Sequence, residues 1–77
     1  MQIEIISFGK IADFIENQKM ELDGISNTTE LANHLERVFP LLGTIKYKIA
    51  LNKQIVQGEV AIFNEDSVAL MPPFSGG

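Results

Sequence analysis

A small α+β fold, a mixed sheet packed on one main helix, is what this sequence predicts. Three observations carry that expectation. The chain has 77 residues, enough for one domain with one modest core. The segment from Asn27 to Phe39 has the apolar spacing and end signals of a substantial helix. Short runs rich in Ile, Val and Leu precede and follow it, giving the order strand, helix, strand, long helix, strand, short strand, strand.

Ile3, Ile5 and Ser7 alternate with Glu4, Ile6 and Phe8, so the first strand has apolar groups on both faces. Lys10 to Gln18 places Ile11, Phe14 and Ile15 at i, i+3 and i+4, the stripe of a short amphipathic helix. Met20-Glu21-Leu22 forms a short strand, stopped by Asp23-Gly24 and expected to pair antiparallel with the first. Asn27 is a good N-cap for the main helix, and Glu30 stands three residues on, where a capping-box acid can reach back. Leu31, Leu35 and Val38 form its core stripe, with Ala32 and Phe39 beside it, and Pro40 ends it.

Tyr47 to Leu51 is the third strand, with Ile49 and Leu51 on one face. Asn52-Lys53 turns the chain into the short strand Gln54-Ile55-Val56. Val60 to Phe63 reads as either a loop or a piece of 3₁₀ helix. After a last turn at Asn64-Glu65-Asp66, Ser67 to Met71 is the final strand. The inner face of the sheet then collects Ile3, Ile5, Leu22, Ile49, Leu51, Val56, Val68 and Leu70 against Leu31 and Leu35. A side-chain period of two forces Ile6, Phe8, Ile55, Ala69 and Met71 outward. Those large apolar groups have no core to enter.

Composition narrows the chemistry. Six Lys+Arg against ten Asp+Glu give a net charge of −4, unsuited to nucleic acid, whose phosphates call for clustered base. An acidic surface suits a partner with a basic docking face. The absence of cysteine rules out thiol catalysis and Cys-ligated metal, and fits a cytoplasmic protein held by packing. The first residues do not read as a signal peptide, and no apolar run approaches the ~18 residues of a membrane span. No membrane is expected. His34, the one histidine, lies on the main helix between Leu31 and Val38 and reads as a helix-flank residue. Asp13 with Glu16 and Glu65 with Asp66 read as solvated acids. The chain therefore carries no active site and no bound cofactor or metal of its own.

The end of the sequence is different. The expected β-rich domain spans residues 1–71, and residues 72–77, Pro72-Pro73-Phe74-Ser75-Gly76-Gly77, are expected to form an extended, flexible tail. Pro72 and Pro73 fix φ and favour extended geometry, so part of the ordering cost of about 1–2 kcal/mol per residue is met before binding. Fully extended, the tail reaches roughly 20 Å. Phe74 can anchor in an apolar slot. Gly76 and Gly77 lack a Cβ, so a narrow channel can close on their backbone. The Gly77 carboxylate is the reactive group on offer, and as a poor electrophile it needs activation, for example as an acyl-adenylate made from ATP by a partner.

The run Asp66-Ser67-Val68-Ala69-Leu70-Met71-Pro72-Pro73-Phe74-Ser75-Gly76-Gly77 resembles the ending of the small, sulfur-carrying subunits of molybdopterin synthase, a ubiquitin-like β-grasp family. Ala50-Leu51-Asn52 and Thr29-Glu30-Leu31 are similar to further family segments, and the element order agrees over essentially the whole chain. The resemblance implies that an E1-like adenylating enzyme activates Gly77 with ATP and that the adenylate becomes a thiocarboxylate. It implies that the tail then enters the large catalytic subunit and gives sulfur to cyclic pyranopterin monophosphate. Two carriers flanking a large-subunit dimer, a heterotetramer, is the implied assembly. The family's apolar docking surface falls on Phe8, Ile55 and Met71.

The sequence departs from the family pattern in three places. Ala12 stands where an arginine is usual, Glu65 where the last turn usually has glycine, and Phe74 where valine is typical. Three other readings stay open: a ubiquitin-like sulfur carrier for thiamin thiazole or tRNA thiolation, a protein modifier whose activated carboxyl forms an isopeptide with a lysine, and an interaction module without tail chemistry.

Overall fold

Strand β1 (Gln2–Ser7) buries Ile3, Ile5 and Ser7 on one face and alternates as the sequence predicts. The computed structural model describes residues 1–73. A 3₁₀ helix (Gly9–Asp13) follows β1, then β2 (Gln18–Glu21), α1 (Thr28–Val38), a second 3₁₀ helix (Pro40–Thr44), β3 (Lys48–Leu51), β4 (Gln54–Ile55) and β5 (Ser67–Met71). The strands form one mixed sheet in the order β2-β1-β5-β3-β4. β1 pairs antiparallel with β2, as expected, and parallel with β5, which is antiparallel to β3.

The core lies between the inner face of this sheet and α1. Ile3, Ile5, Val68 and Leu70 from the two central strands meet Leu31 and Leu35 of the helix, all at most 1% exposed. Burying side chains of this size contributes roughly 1.5–3 kcal/mol each before the ordering entropy is subtracted. Ile49 and Leu51 pack half-buried against the cluster, on the face the sequence assigned to them.

The helix start is built as its sequence suggests, with one difference. Asn27 Oδ1 accepts from the Glu30 amide at 2.8 Å, the expected N-cap bond. The Glu30 carboxylate reaches past Asn27 to the Ser26 amide at 2.8 Å and its hydroxyl at 3.0 Å. Asn27 itself lies opposite Ala61 in an isolated antiparallel bridge. Hydrogen bonds from Thr28 to Val60 and from Ile62 to Ser26 complete that bridge. Residues 60–63 are thus an extended loop segment tied to the helix entrance, which buries Ile62.

Three expectations are corrected. The short strand is only Gln54–Ile55, so Val56 lies beyond it, half-buried and outside the core cluster it was expected to join. The helix expected over Lys10 to Gln18 is a 3₁₀ helix of five residues. The chain has to return quickly, because Ile5 pairs with Gln18 and the Ser7 amide donates to Asn17 Oδ1 at 2.8 Å. That leaves room for little more than one turn, enough to bury Ile11 and Ile15. Val38, placed on the core stripe by its spacing, is 49% exposed. The helix ends there, and the turn opened by Pro40 swings fully buried Leu42 into the space instead.

Candidate docking face and tail root

Register, more than any single residue, creates the candidate site. Cross-strand partners share a face, and Ile6 stands beside Ala69, Ala69 beside Ala50, and Ala50 beside Ile55. Met71 pairs with Lys48 on the same face. α1 covers the opposite face. The outer face therefore carries an apolar strip running across four strands.

A shallow depression of about 370 Å³ opens on this strip, lined by Ile6, Phe8, Ile55, Ala69 and Met71, with Ala50 beneath and Lys53 at its edge. Phe8 is 48% exposed and Ile55 47%. Met71, Ile6 and Ala69 are half-buried. Phe8, Ile55 and Met71, the residues expected to dock, are thus brought together on one surface. Exposed aromatic and aliphatic groups that share a patch mark an interaction site better than scattered ones do.

The tail leaves from the edge of this patch. The Phe8 amide donates to the Leu70 carbonyl at 3.0 Å, holding the end of β5 against the end of β1. Pro72 then lies over Gly9, where a Cβ would sit only 2.8 Å from Pro72 Cγ. Gly9 also has φ +58°, a left-handed conformation that glycine adopts without strain. Pro72 is half-buried and Pro73 exposed. Phe74, Ser75, Gly76 and Gly77 lie outside the described residues.

Gly9, Ala50 and Lys53 belong to this region but were not among the residues expected to dock. Ala50 could have been found from parity, since it alternates with Ile49 and Leu51. Gly9 and Lys53 could not, because their importance comes from contacts with distant segments.

The groups with displaced titration lie away from this face. Burial, then the hydrogen bond and charge of Glu36, push the Tyr47 phenol well above its usual range. Its hydroxyl donates to Glu36 Oε2 at 2.6 Å. The Ser26 amide, then the Ser26 hydroxyl, hold the Glu30 carboxyl below its ordinary value. Among the described residues no three His, Asp or Glu side chains converge as a metal site, and His34 is a half-buried helix residue. Ala12, at the position where the family arginine falls, is exposed. Glu65 takes φ +71°, so the last turn keeps a left-handed backbone without the glycine that suits it.

Comparison with known proteins agrees with this architecture. A model of the ThiS family matches residues 5–77. The molybdopterin synthase sulfur carrier subunit of Chlamydomonas reinhardtii is 31% identical over 83 residues, covering 100% of both chains. A structure described as molybdopterin converting factor, subunit 1, from Pyrococcus furiosus superposes with a TM-score of 0.83 at 14% identity, over 94% of this chain and 97% of that one. The crystal structure of SAMP1 from Haloferax volcanii gives 0.78 at 20% identity, covering 100% of each. The arrangement of five strands on one main helix is the ubiquitin-like β-grasp.

Proposed function

This chain belongs to the ThiS family, and on that premise we propose that it is the sulfur carrier of a molybdopterin synthase. Its role is to bring sulfur to a large catalytic subunit that performs the chemistry. The observation that carries this reading is the join between the apolar outer face and the root of a tail whose sequence ends in Gly76-Gly77. One surface holds the partner, and the tail beside it reaches in.

Each part of the chain has a task. Phe8, Ile55 and Met71 bury apolar area against the large subunit. Pro72 and Pro73 stiffen the first part of the tail, Phe74 anchors it, and Ser75 and Gly76 pass through a narrow channel. An oxygen of the Gly77 carboxylate attacks the α-phosphate of ATP in an E1-like enzyme, and pyrophosphate leaves. Hydrosulfide then displaces AMP, forming the C–S bond as the acyl–phosphate bond breaks and leaving a thiocarboxylate. In the large subunit the thiocarboxylate sulfur passes to cyclic pyranopterin monophosphate, and water returns Gly77 to a carboxylate. Each thiocarboxylate brings one sulfur, so a dithiolene consumes two thiocarboxylated chains, and the assembly is a large-subunit dimer with one carrier on each side.

Reconstitution tests this directly. Thiocarboxylated chain mixed with the large subunit converts cyclic pyranopterin monophosphate to the dithiolene product. A chain that takes up sulfur but fails in that conversion belongs to another sulfur pathway, such as thiamin thiazole or tRNA thiolation. A chain that takes up none is an interaction module.

A further inference from the structure

The net charge of −4 hides a local reversal. Residues 37–58 contain Arg37, Lys46, Lys48 and Lys53, four of the six basic residues, and no Asp or Glu. The fold puts two of these lysines beside the apolar depression. Lys53 lines its edge, and Lys48 pairs with Met71 on the outer face. The ion pair found among the described residues joins the Met1 ammonium to Glu21, at the far side of the sheet, and involves neither lysine.

The backbone at Lys53 adds an independent observation. Asn52 and Lys53 have φ of 50° and 74°, both left-handed, as a two-residue hairpin turn requires. Asparagine tolerates this conformation, and here its side chain also bonds Asp66 and the Ser67 amide. Lysine has no such compensation, and glycine would be the easier residue at the second position. A strained non-glycine residue at the rim of an interaction surface points toward a use for its side chain.

We propose that Lys53, together with Lys48, pairs with carboxylates bordering the partner's docking surface. The occupant is a protein whose apolar contact area is edged with Asp or Glu on the side facing β3 and β4. The basic face suggested by the chain's overall acidity is the wrong local match. Rim charges of this kind act chiefly on encounter, raising the association rate and discriminating between partners that share the same apolar contact. This proposal rests on the reading of the outer face as the surface that docks on a large subunit.

The test measures association and dissociation rates with the molybdopterin synthase large subunit from the same genome, at low and high ionic strength. Lys48→Gln/Lys53→Gln should slow association about five- to tenfold at low salt, with the difference vanishing at high salt. Lys53→Gly should slow association in the same direction although it eases the turn, an effect that a purely structural lysine would not give. Lys19→Gln, on the same sheet face but in β2, should change the rate less than about twofold. Normal binding with an unchanged association rate in the double variant would overturn the proposal and leave the docking reading standing. A wild-type chain that does not bind the large subunit at all would remove both.

Discussion

Gly9 and Pro72 are in contact where the tail leaves the domain. The position that a Cβ on Gly9 would occupy is 2.8 Å from Pro72 Cγ, inside any real carbon–carbon contact. The left-handed φ of +58° at Gly9 adds a backbone requirement to the steric one. The first stiff residue of the tail is thus seated against the end of β1.

Gly9→Ala therefore loses in two ways. The backbone strain costs about 1 kcal/mol, and the new methyl group displaces Pro72. Denaturation should show the lower stability, and single-turnover sulfur transfer should slow beyond what that loss explains. In Gly9→Ala/Pro72→Ala the ring carbon is gone, so the double variant should recover part of the transfer rate. Strict additivity of the two changes would show that the contact does not aim the tail.

Ile55 is 47% exposed on a two-residue strand, so its side chain contributes little to folding. Ile55→Asp should leave the denaturation midpoint nearly unchanged. Association with the large subunit should weaken by about 2 kcal/mol or more, read by calorimetry, because a carboxylate would be buried in an apolar contact. Unchanged affinity would remove this surface from the interface.

Glu65 occupies the left-handed region at φ +71°, with its amide donating to the Gln2 carbonyl. Glu65→Gly relieves that strain, which outweighs the extra freedom glycine gives the unfolded chain. Stability should rise by about 0.5–1 kcal/mol in urea denaturation. A fall would mean that the Glu65 side chain stabilises the turn.

The Tyr47 phenol is raised above its ordinary value of 10.0 by burial and by Glu36. The folded state thus favours the neutral phenol. That contribution is complete below the unfolded value near pH 10 and is lost as pH climbs toward the higher folded value. Denaturation midpoints between roughly pH 9 and pH 12 should fall less steeply in Tyr47→Phe than in the wild type. Parallel curves would show that Tyr47 does not couple to folding.

Most of the architecture was legible from local pattern. Strict alternation in Ile3 to Phe8 and in Ser67 to Met71 assigned both faces of the central strands, and Asn27 marked the true helix entrance. What failed depended on distant geometry. The spacing of Ile11, Phe14 and Ile15 allows an α-helix, but pairing of Ile5 with Gln18 leaves the chain too little length for one. Val38 fits the stripe, yet as the last residue of the helix it stays half exposed, and Leu42 enters the core from the next turn. On the candidate face, Phe8, Ile55 and Met71 came from parity and family likeness. The Gly9–Pro72 contact and the lysine rim were invisible until the strands were put in register.

The central claim is that Gly77 carries sulfur on its own carboxyl. The most direct measurement is the intact mass of the chain after incubation with the E1-like enzyme, ATP and a sulfur donor. The predicted result is a gain equal to the difference between a sulfur and an oxygen atom, localised to the Gly77 residue and absent without ATP. An unchanged mass under conditions that modify a known carrier would contradict it.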